Sequence, residues 1–275
     1  MKILYQGSPG AYSHLAALEV YPKADIISCR TFDECFEKAK DDEKLKIIIP
    51  ESNRITGSIG IEYLIFKYRL NIYAEHFLRI EHNLLAAKEA KVENIKKVYS
   101  HAQALSQCSN FIKKHNLIEY VNADTAGSAE LVSKSIKNDC AAIASSLSAK
   151  IYNLQILNKN IENEKGNATR FLIMGSLLAQ PEISKKKFIT SILFKLKSKP
   201  AALYQSLAGF AINGVNMTKL QSFPEKNSFS SYFFLCDIDG HIEDPKIKKS
   251  LEELGLHCED FHILGVFEAD KYRDK

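Results

Sequence analysis

Through its first half the chain repeats one theme, and that repetition limits the folds open to it. A short β-branched or apolar run leads into a turn of small or hydroxyl-bearing residues. A helix with apolar side chains three and four apart then follows. Ile3-Leu4-Tyr5 runs into Gln6-Gly7-Ser8-Pro9-Gly10 and a helix opening near Tyr12-Ser13, and Ile47-Ile48-Ile49 runs into Pro50-Glu51-Ser52-Asn53. Val98-Tyr99 leads to Ser100-His101, where Ser100 is an expected N-cap and Leu105, Cys108, Phe111 and Ile112 fall on one helical face. Ala141–Ala144 leads into Ser145-Ser146 and a helix through Leu154. Such alternation implies an α/β fold with a parallel sheet flanked by helices. Ligands of such sheets sit beyond the carboxyl ends of the strands, where helix N-termini present unpaired N–H groups.

After the polar segment Asn158–Asn167, the strand Phe171–Met174 closes this first part near residue 178. Residues 179–187 are polar, contain Pro181 and Lys185-Lys186-Lys187, and read as a linker. Beyond it the rhythm changes. Strand Phe188–Lys197, helix Pro200–Ile212, strand Asn216–Phe223, strand Ser228–Asp237, helix Pro245–Leu254 and strand Cys258–Val266 spell βαββαβ, the ferredoxin-like order, within a domain of residues 188–268. Pro200 and Pro245 fit the first turns of their helices.

With 37 basic and 33 acidic side chains the net charge of +4 is too small and dispersed for a nucleic-acid binder. The six cysteines show no Cys-x-x-Cys pair and no histidine spacing that would build a zinc site. That usage, with no apolar signal stretch after Met1 and no run long enough to span a bilayer, leads us to expect a cytoplasmic protein without membrane partners.

Three motifs carry polar groups to strand ends. Asn167-Ala168-Thr169-Arg170-Phe171 brings a hydroxyl and a guanidinium to the mouth of a strand; taken alone, Thr169 reads equally as a strand residue and Arg170 as an ion-pair partner. Ser100-His101, followed by Gln103 and Gln107, offers an imidazole that titrates near neutrality, or a helix cap beside an incidental histidine. Gly7–Ser13 is a Gly-rich turn that could cradle a carboxylate, or a plain βα turn. It lacks the Lys-Ser/Thr ending of a P-loop.

Taken in order, Gly7–Ser13, Thr31-Phe32-Asp33-Glu34, Glu75–Leu85, Ser100-His101, Ala123-Asp124-Thr125-Ala126, Ala141–Ala144 and Asn167–Phe171 resemble the prephenate dehydratase family. Ala201-Ala202-Leu203, Asn216-Met217-Thr218-Lys219-Leu220 and Gln221-Ser222-Phe223-Pro224 resemble its ACT regulatory domain. The resemblance implies a two-lobed catalytic unit of the type II periplasmic-binding-protein kind, residues 1–178, and a C-terminal ACT domain. It also implies decarboxylating dehydration of prephenate to phenylpyruvate, without cofactor or metal. The residues it assigns to chemistry are Thr169, Ser100, His101 and Asn53. Those it assigns to substrate are Arg170, as bidentate partner of a carboxylate, with Phe171, Asn167, Gly10, Tyr12, Ser13 and Ser52. L-Phenylalanine is the implied effector, held by Ala201, Ala202, Leu203, Asn216, Met217, Thr218, Gln221 and Ser222 where ACT domains pair in a homodimer or homotetramer.

Two departures from the family stand out. Ser52 occupies the place of a usual Glu and Arg54 that of a usual Ser. Ala201-Ala202-Leu203 replaces Gly-Ala-Leu, and Gln221-Ser222-Phe223-Pro224 replaces Glu-Ser-Arg-Pro. Three other readings stay open at this point: an arogenate dehydratase, a non-catalytic small-molecule sensor with the same domains, and a transport-type solute-binding protein.

Overall fold

The computed structural model describes residues 1–135, 138–178, 180–226, 228 and 230–274. Ala179, at the start of the expected linker, and Phe229, in the expected strand Ser228–Asp237, lie outside the described residues. The chain opens with β1 (Lys2–Gln6), α1 (Tyr12–Val20), β2 (Asp25–Cys29), α2 (Phe32–Ala39), β3 (Leu45–Asn53), β4 (Gly57–Ser58), α3 (Glu62–Tyr68) and β5 (Asn71–Arg79). It continues with β6 (Asn83–Ala86), β7 (Lys97–Ser100), α4 (Ala102–Gln107), α5 (Ser109–Lys114), β8 (Ile118–Val121), α6 (Thr125–Ser133), β9 (Cys140–Ala144), α7 (Ser146–Ile151), β10 (Gln155–Asn158) and β11 (Ala168–Gly175). The last elements are β12 (Phe188–Leu196), α8 (Ala202–Ile212), β13 (Met217–Pro224), β14 (Tyr232–Asp239), α9 (Pro245–His257) and β15 (Cys258–Glu268). A six-stranded sheet has the order β2-β1-β3-β11-β5 with β4 on β3; a five-stranded sheet has the order β10-β6-β9-β7-β8. The remaining four strands form a sheet in the order β13-β14-β12-β15.

Two compact units result, the first made of residues 1–35, 47–59 and 77–171. Its five-stranded sheet mixes parallel and antiparallel pairs and is covered on both faces. Leu84, Val98, Ala141 and Ile143 pack against Leu105, Cys108 and Ile112 on one side. Leu85, Ala142 and Ala144 pack against Ala129, Val132 and Ala149 on the other. Side chains alternate between faces along each strand, so strands buried on both faces read as unbroken apolar runs such as Cys140–Ala144. The chain leaves the six-stranded sheet through Ile80–His82 and re-enters it through Lys159–Asn167. These two crossings are tied together by Ile80 N–H to Asn167 O at 2.9 Å and Ile161 N–H to His82 O at 2.9 Å.

Two helices differ from expectation. The helix after Ser100 is two short helices that break at Cys108, although Leu105, Cys108 and Ile112 do share one buried cluster. The helix after Ser145 ends at Ile151, with Asn153 in the left-handed region at φ 54°.

The second unit comprises residues 36–46, 60–76 and 172–275. Within it, β12 through β15 with α8 and α9 follow the βαββαβ order, and Phe210, Ile247, Leu251 and Leu254 of the helices cover Ile192, Phe194, Cys236 and Ile238 of the sheet. Pro245 takes the first helical turn of α9 behind the capping Asp244. Pro200 does not take that place in α8, because Ala201 intervenes as N-cap in the left-handed conformation, at φ 59° and ψ 16°.

A turn, Lys271–Asp274, clasps β5. Arg273 Nε and Nη2 donate to the two carboxylate oxygens of Glu75 at 2.6 and 2.8 Å, and Asp270 N–H donates to the same group at 3.0 Å. The Glu75 side chain is wholly buried, and Asp237 stands 3.7 Å from Arg273. Removing one partner of a buried, forked ion pair strands the other charge. Arg273→Ala is therefore expected to destabilise the protein by about 3–5 kcal/mol, with Arg273→Lys recovering only part because it lacks the fork. A thermal midpoint within a degree of wild type would contradict this. Ala201→Gly is expected to act in the opposite direction. Relief of the left-handed Ala, worth about 1–2 kcal/mol, is partly offset by a freer unfolded chain, leaving a gain of about 1 kcal/mol by chemical denaturation.

Candidate active site

Within the first unit, strand ends and helix starts enclose a cavity of about 670 Å³. Gln6, Asn53, Thr169 and Phe171 reach it from the six-stranded sheet, and Ile80 and His82 from the first crossing. Tyr12 and Ser13 enter from the start of α1, His101, Gln103 and Gln107 from α4, and Asp124 from the start of α6.

Asn53 organises the polar floor. Its side-chain oxygen accepts from the N–H groups of Ile55 and Thr56 at 3.0 and 3.2 Å, which fixes the amide in the turn after β3. Its Nδ2 then donates to Asn167 Oδ1 at 2.8 Å and to Thr169 Oγ1 at 2.9 Å. Because the Thr169 oxygen already accepts, its own proton remains available to an acceptor in the cavity. A second chain of bonds runs alongside. His82 lies between Tyr12, whose hydroxyl is 2.8 Å from Nδ1, and Gln107, whose Oε1 is 2.8 Å from Nε2. Asn167 Nδ2 joins the two chains by donating to Gln107 Oε1 at 3.4 Å. Burial pushes the His82 imidazole below its ordinary value, against the pull of the Gln107 hydrogen bond, and raises the Tyr12 phenol well above 10.

The structure brings Asn53, Tyr12, Ser13, His101, Thr169 and Phe171 to this cavity and leaves five expected residues out of its wall. Arg170 is buried and stands 3.4 Å from Glu51, which is itself buried. Side chains alternate along β11, so Thr169 and Phe171 face the cavity and Arg170 faces away; it is not placed as the partner of a ligand carboxylate. Ser52 donates to the same Glu51 at 2.8 Å. Ser100 is not the helix cap, because its hydroxyl donates to Ile143 O at 2.7 Å and ties β7 to β9, while His101 caps α4 by accepting from Gln103 N–H at 3.3 Å. Gly10 offers no cradle either, since its N–H goes to His14 Nδ1 at 3.1 Å and its carbonyl accepts from Ser145 and Ser148. It has φ +95°, and a Cβ there would stand 2.6 Å from Ser148 Oγ, which accounts for the glycine. Asn167 braces Asn53 and Gln107 from behind the wall.

His82, Gln107 and Asp124 emerge as wall residues that carried no expected role. The polar step Glu81-His82-Asn83 inside the apolar run Phe77–Leu85 was the available signal for His82.

The expected effector residues do not form one cluster in a single chain. β12 and β13 both run antiparallel to β14, so they point the same way. Asn216, Met217 and Thr218 therefore sit where β12 begins. Asn216 and Thr218 line a cavity of about 680 Å³ with Lys187, His241 and Arg273. Ala201, Ala202, Leu203, Gln221 and Ser222 sit toward the opposite end, where Gln221 donates to Glu62 at 2.5 Å.

A family model described as prephenate dehydratase matches residues 3–177. The chain is 35% identical over 274 residues to a bifunctional N-acyl-homoserine lactone acylase/prephenate dehydratase of Komagataeibacter europaeus, covering 99% of this chain and 98% of that one. It is 34% identical over 282 residues to arogenate dehydratase/prephenate dehydratase 2 of Arabidopsis thaliana, covering 98% of this chain and 73% of the relative. The crystal structure of prephenate dehydratase in complex with L-Phe from Arthrobacter aurescens superposes with a TM-score of 0.88 at 25% identity, covering 98% of this chain and 90% of that one.

The buried imidazole gives a pH signature. His82 has a lowered value in the folded protein, so below about pH 6.5 the unfolded chain binds a proton that the folded one resists. Stability is then lost as pH falls through that range, by at most about 1.4 kcal/mol per pH unit from this residue. Urea unfolding between pH 7.5 and 5 is expected to show a shallower acid loss in His82→Gln than in wild type; equal slopes would rule the assignment out. His14, lowered by burial, contributes in the same sense to both proteins.

Proposed function

From the premise that the chain belongs to the prephenate dehydratase family, we propose that it removes water and carbon dioxide from prephenate to give phenylpyruvate, a step of aromatic amino acid biosynthesis. The observation that carries this reading is the Thr169 hydroxyl, fixed by Asn53 at the wall of the 670 Å³ cavity with its proton free for a substrate oxygen.

The ring hydroxyl of prephenate leaves slowly unless a donor meets the charge growing on its oxygen. Thr169 supplies that donor, and the departing oxygen leaves as water once protonated. The ring carboxyl group leaves as carbon dioxide, and its bonding electrons complete the aromatic ring. One proton is taken up overall, because the dianion becomes a monoanion, carbon dioxide and water. His101, whose Nδ1 caps α4, lines the same cavity and is the residue that relays this proton. No Lys or Arg side chain lines the cavity among the described residues. The carboxylates are held instead by N–H groups at the start of α1 and by Gln103 and Gln107.

The lactone-acylase activity named for the Komagataeibacter relative does not follow from the neighbouring Ser100 and His101. Ser100 is buried and donates to Ile143, so the two do not make a nucleophile and base.

Residues 1–178 form the catalytic part, two lobes of the type II periplasmic-binding-protein kind. Residues 179–187 link it to an ACT domain of residues 188–268. L-Phenylalanine is the effector. β13 is an edge strand, and antiparallel pairing of two such edges in a homodimer, alone or within a homotetramer, would bring Asn216–Thr218 of one copy beside Gln221 and Ser222 of the other. That arrangement would reunite the two half-sets separated within one chain.

The test is phenylpyruvate formation from prephenate by the purified protein, with and without L-phenylalanine. Wild type is expected to turn over and to be inhibited. Thr169→Ala is expected to lose on the order of a hundredfold or more in kcat, with folding intact by circular dichroism. An inactive, folded wild type would favour the sensor reading.

A further inference from the structure

The polar network of the first unit has a direction that can be followed atom by atom. The N–H groups of Ile55 and Thr56 occupy the Asn53 oxygen, so the Asn53 nitrogen is the atom that donates to Asn167 Oδ1 at 2.8 Å. With its oxygen taken, Asn167 presents Nδ2, and the Gln107 atom facing it at 3.4 Å is an oxygen. The same Gln107 Oε1 lies 2.8 Å from His82 Nε2, so that ring nitrogen carries a proton. His82 is buried, and burial keeps the imidazole neutral near pH 7, with one proton to place. That proton is on Nε2. Nδ1 is then an acceptor, and the Tyr12 hydroxyl 2.8 Å away is its donor.

Gln107 therefore has both oxygen lone pairs occupied, and its Nε2 has no protein partner among the described residues. It lines the cavity, and its two N–H bonds are what it offers there. The 3.4 Å contact from Asn167 is long, so the 2.8 Å bond from His82 is the stronger restraint on the amide. Without it the carboxamide could turn and present its oxygen, which repels a carboxylate. Resting on the dehydratase reading above, we propose that His82 is a positioning residue for the reaction: its Nε2–H locks the Gln107 carboxamide with the nitrogen toward a substrate carboxylate. Tyr12 supports it from the other side by holding the proton off Nδ1.

The experiment is a double-mutant cycle on kcat and KM for prephenate, built from His82→Phe, Gln107→Ala and the two combined, with folding followed by circular dichroism. His82→Phe keeps a ring of similar size and removes both nitrogens. It is expected to lower kcat/KM by about tenfold, the worth of one directed hydrogen bond, with KM taking more of the loss than kcat. His82→Gln, whose amide can donate where Nε2 did, is expected to recover most of that loss. In the Gln107→Ala background His82→Phe is expected to cost no more than about twofold, because the amide it orients is gone. Nitrogen NMR of the wild-type imidazole at neutral pH tests the same assignment without a substitution and is expected to show the Nε2–H tautomer. Equal losses in both backgrounds, an unchanged kcat/KM in folded His82→Phe, or an Nδ1–H tautomer would overturn the inference while leaving the dehydratase reading standing. A wild type inactive on prephenate would remove that reading and this inference with it.

Discussion

The site depends on one amide. Asn53 is held by two backbone N–H groups on its oxygen side, and its nitrogen side then has only one orientation in which to donate. That orientation meets Thr169 and Asn167 together. A threonine hydroxyl is a rotor with three staggered choices, and acceptance from a fixed donor removes the freedom that would otherwise blur its direction. The two crossing segments between the sheets complete the restraint, because Asn167 sits in one and His82 in the other, and Ile80 N–H bonds to Asn167 O. A hydroxyl on a strand end thus becomes a directed donor through a network that starts in a turn some hundred positions earlier in sequence.

Much of the architecture was legible because strands buried on both faces must be continuous apolar runs, and Ile47–Ile49 and Ala141–Ala144 were. A helix start was readable where proline fits the first turn, as at Pro245. Another was misread at Ser100 because a buried sheet carbonyl, Ile143 O, competes for the same hydroxyl and no local pattern announces it. The misplacement of Arg170 is different in kind. Period-2 alternation along the strand that includes Thr169 and Phe171 already puts Arg170 on the other face, so the expectation failed by giving chemistry priority over geometry. Gly10 shows a third case. The glycine is required, but by the approach of Ser148 rather than by a ligand.

In the second unit the sequence fell short for a topological reason. Residues 201–203, 216–218 and 221–222 are close in sequence, which invites the view of one site. A βαβ connection returns the chain to the end of the sheet where it began, so the start of β13 lies a strand's length from the start of α8. β13, which carries Gln221 and Ser222, is an edge strand of its sheet. The left-handed Ala201 belongs to the same argument. Its left-handed backbone favours glycine, and alanine holds the position at some cost.

The departures at Ser52 and Arg54 take on a definite meaning in the structure. Ser52 does not line the cavity but steadies Glu51, and Glu51 pairs with the guanidinium of Arg170 on the far side of β11. Arg54 reaches Gly166 O at 3.4 Å through its side chain and Ala168 O at 2.9 Å through its N–H, so it fastens the turn after β3 to the segment leading into Thr169. The departures therefore bear on how the Asn53 turn is braced, and leave the polar wall of the cavity to Thr169, Tyr12, His101, Gln6, Gln103, Gln107 and Asp124. A wall of neutral donors with one carboxylate orients a ligand through hydrogen bonds rather than by net attraction. In such a wall the position of each donor, not the total charge, determines which substrate is turned over.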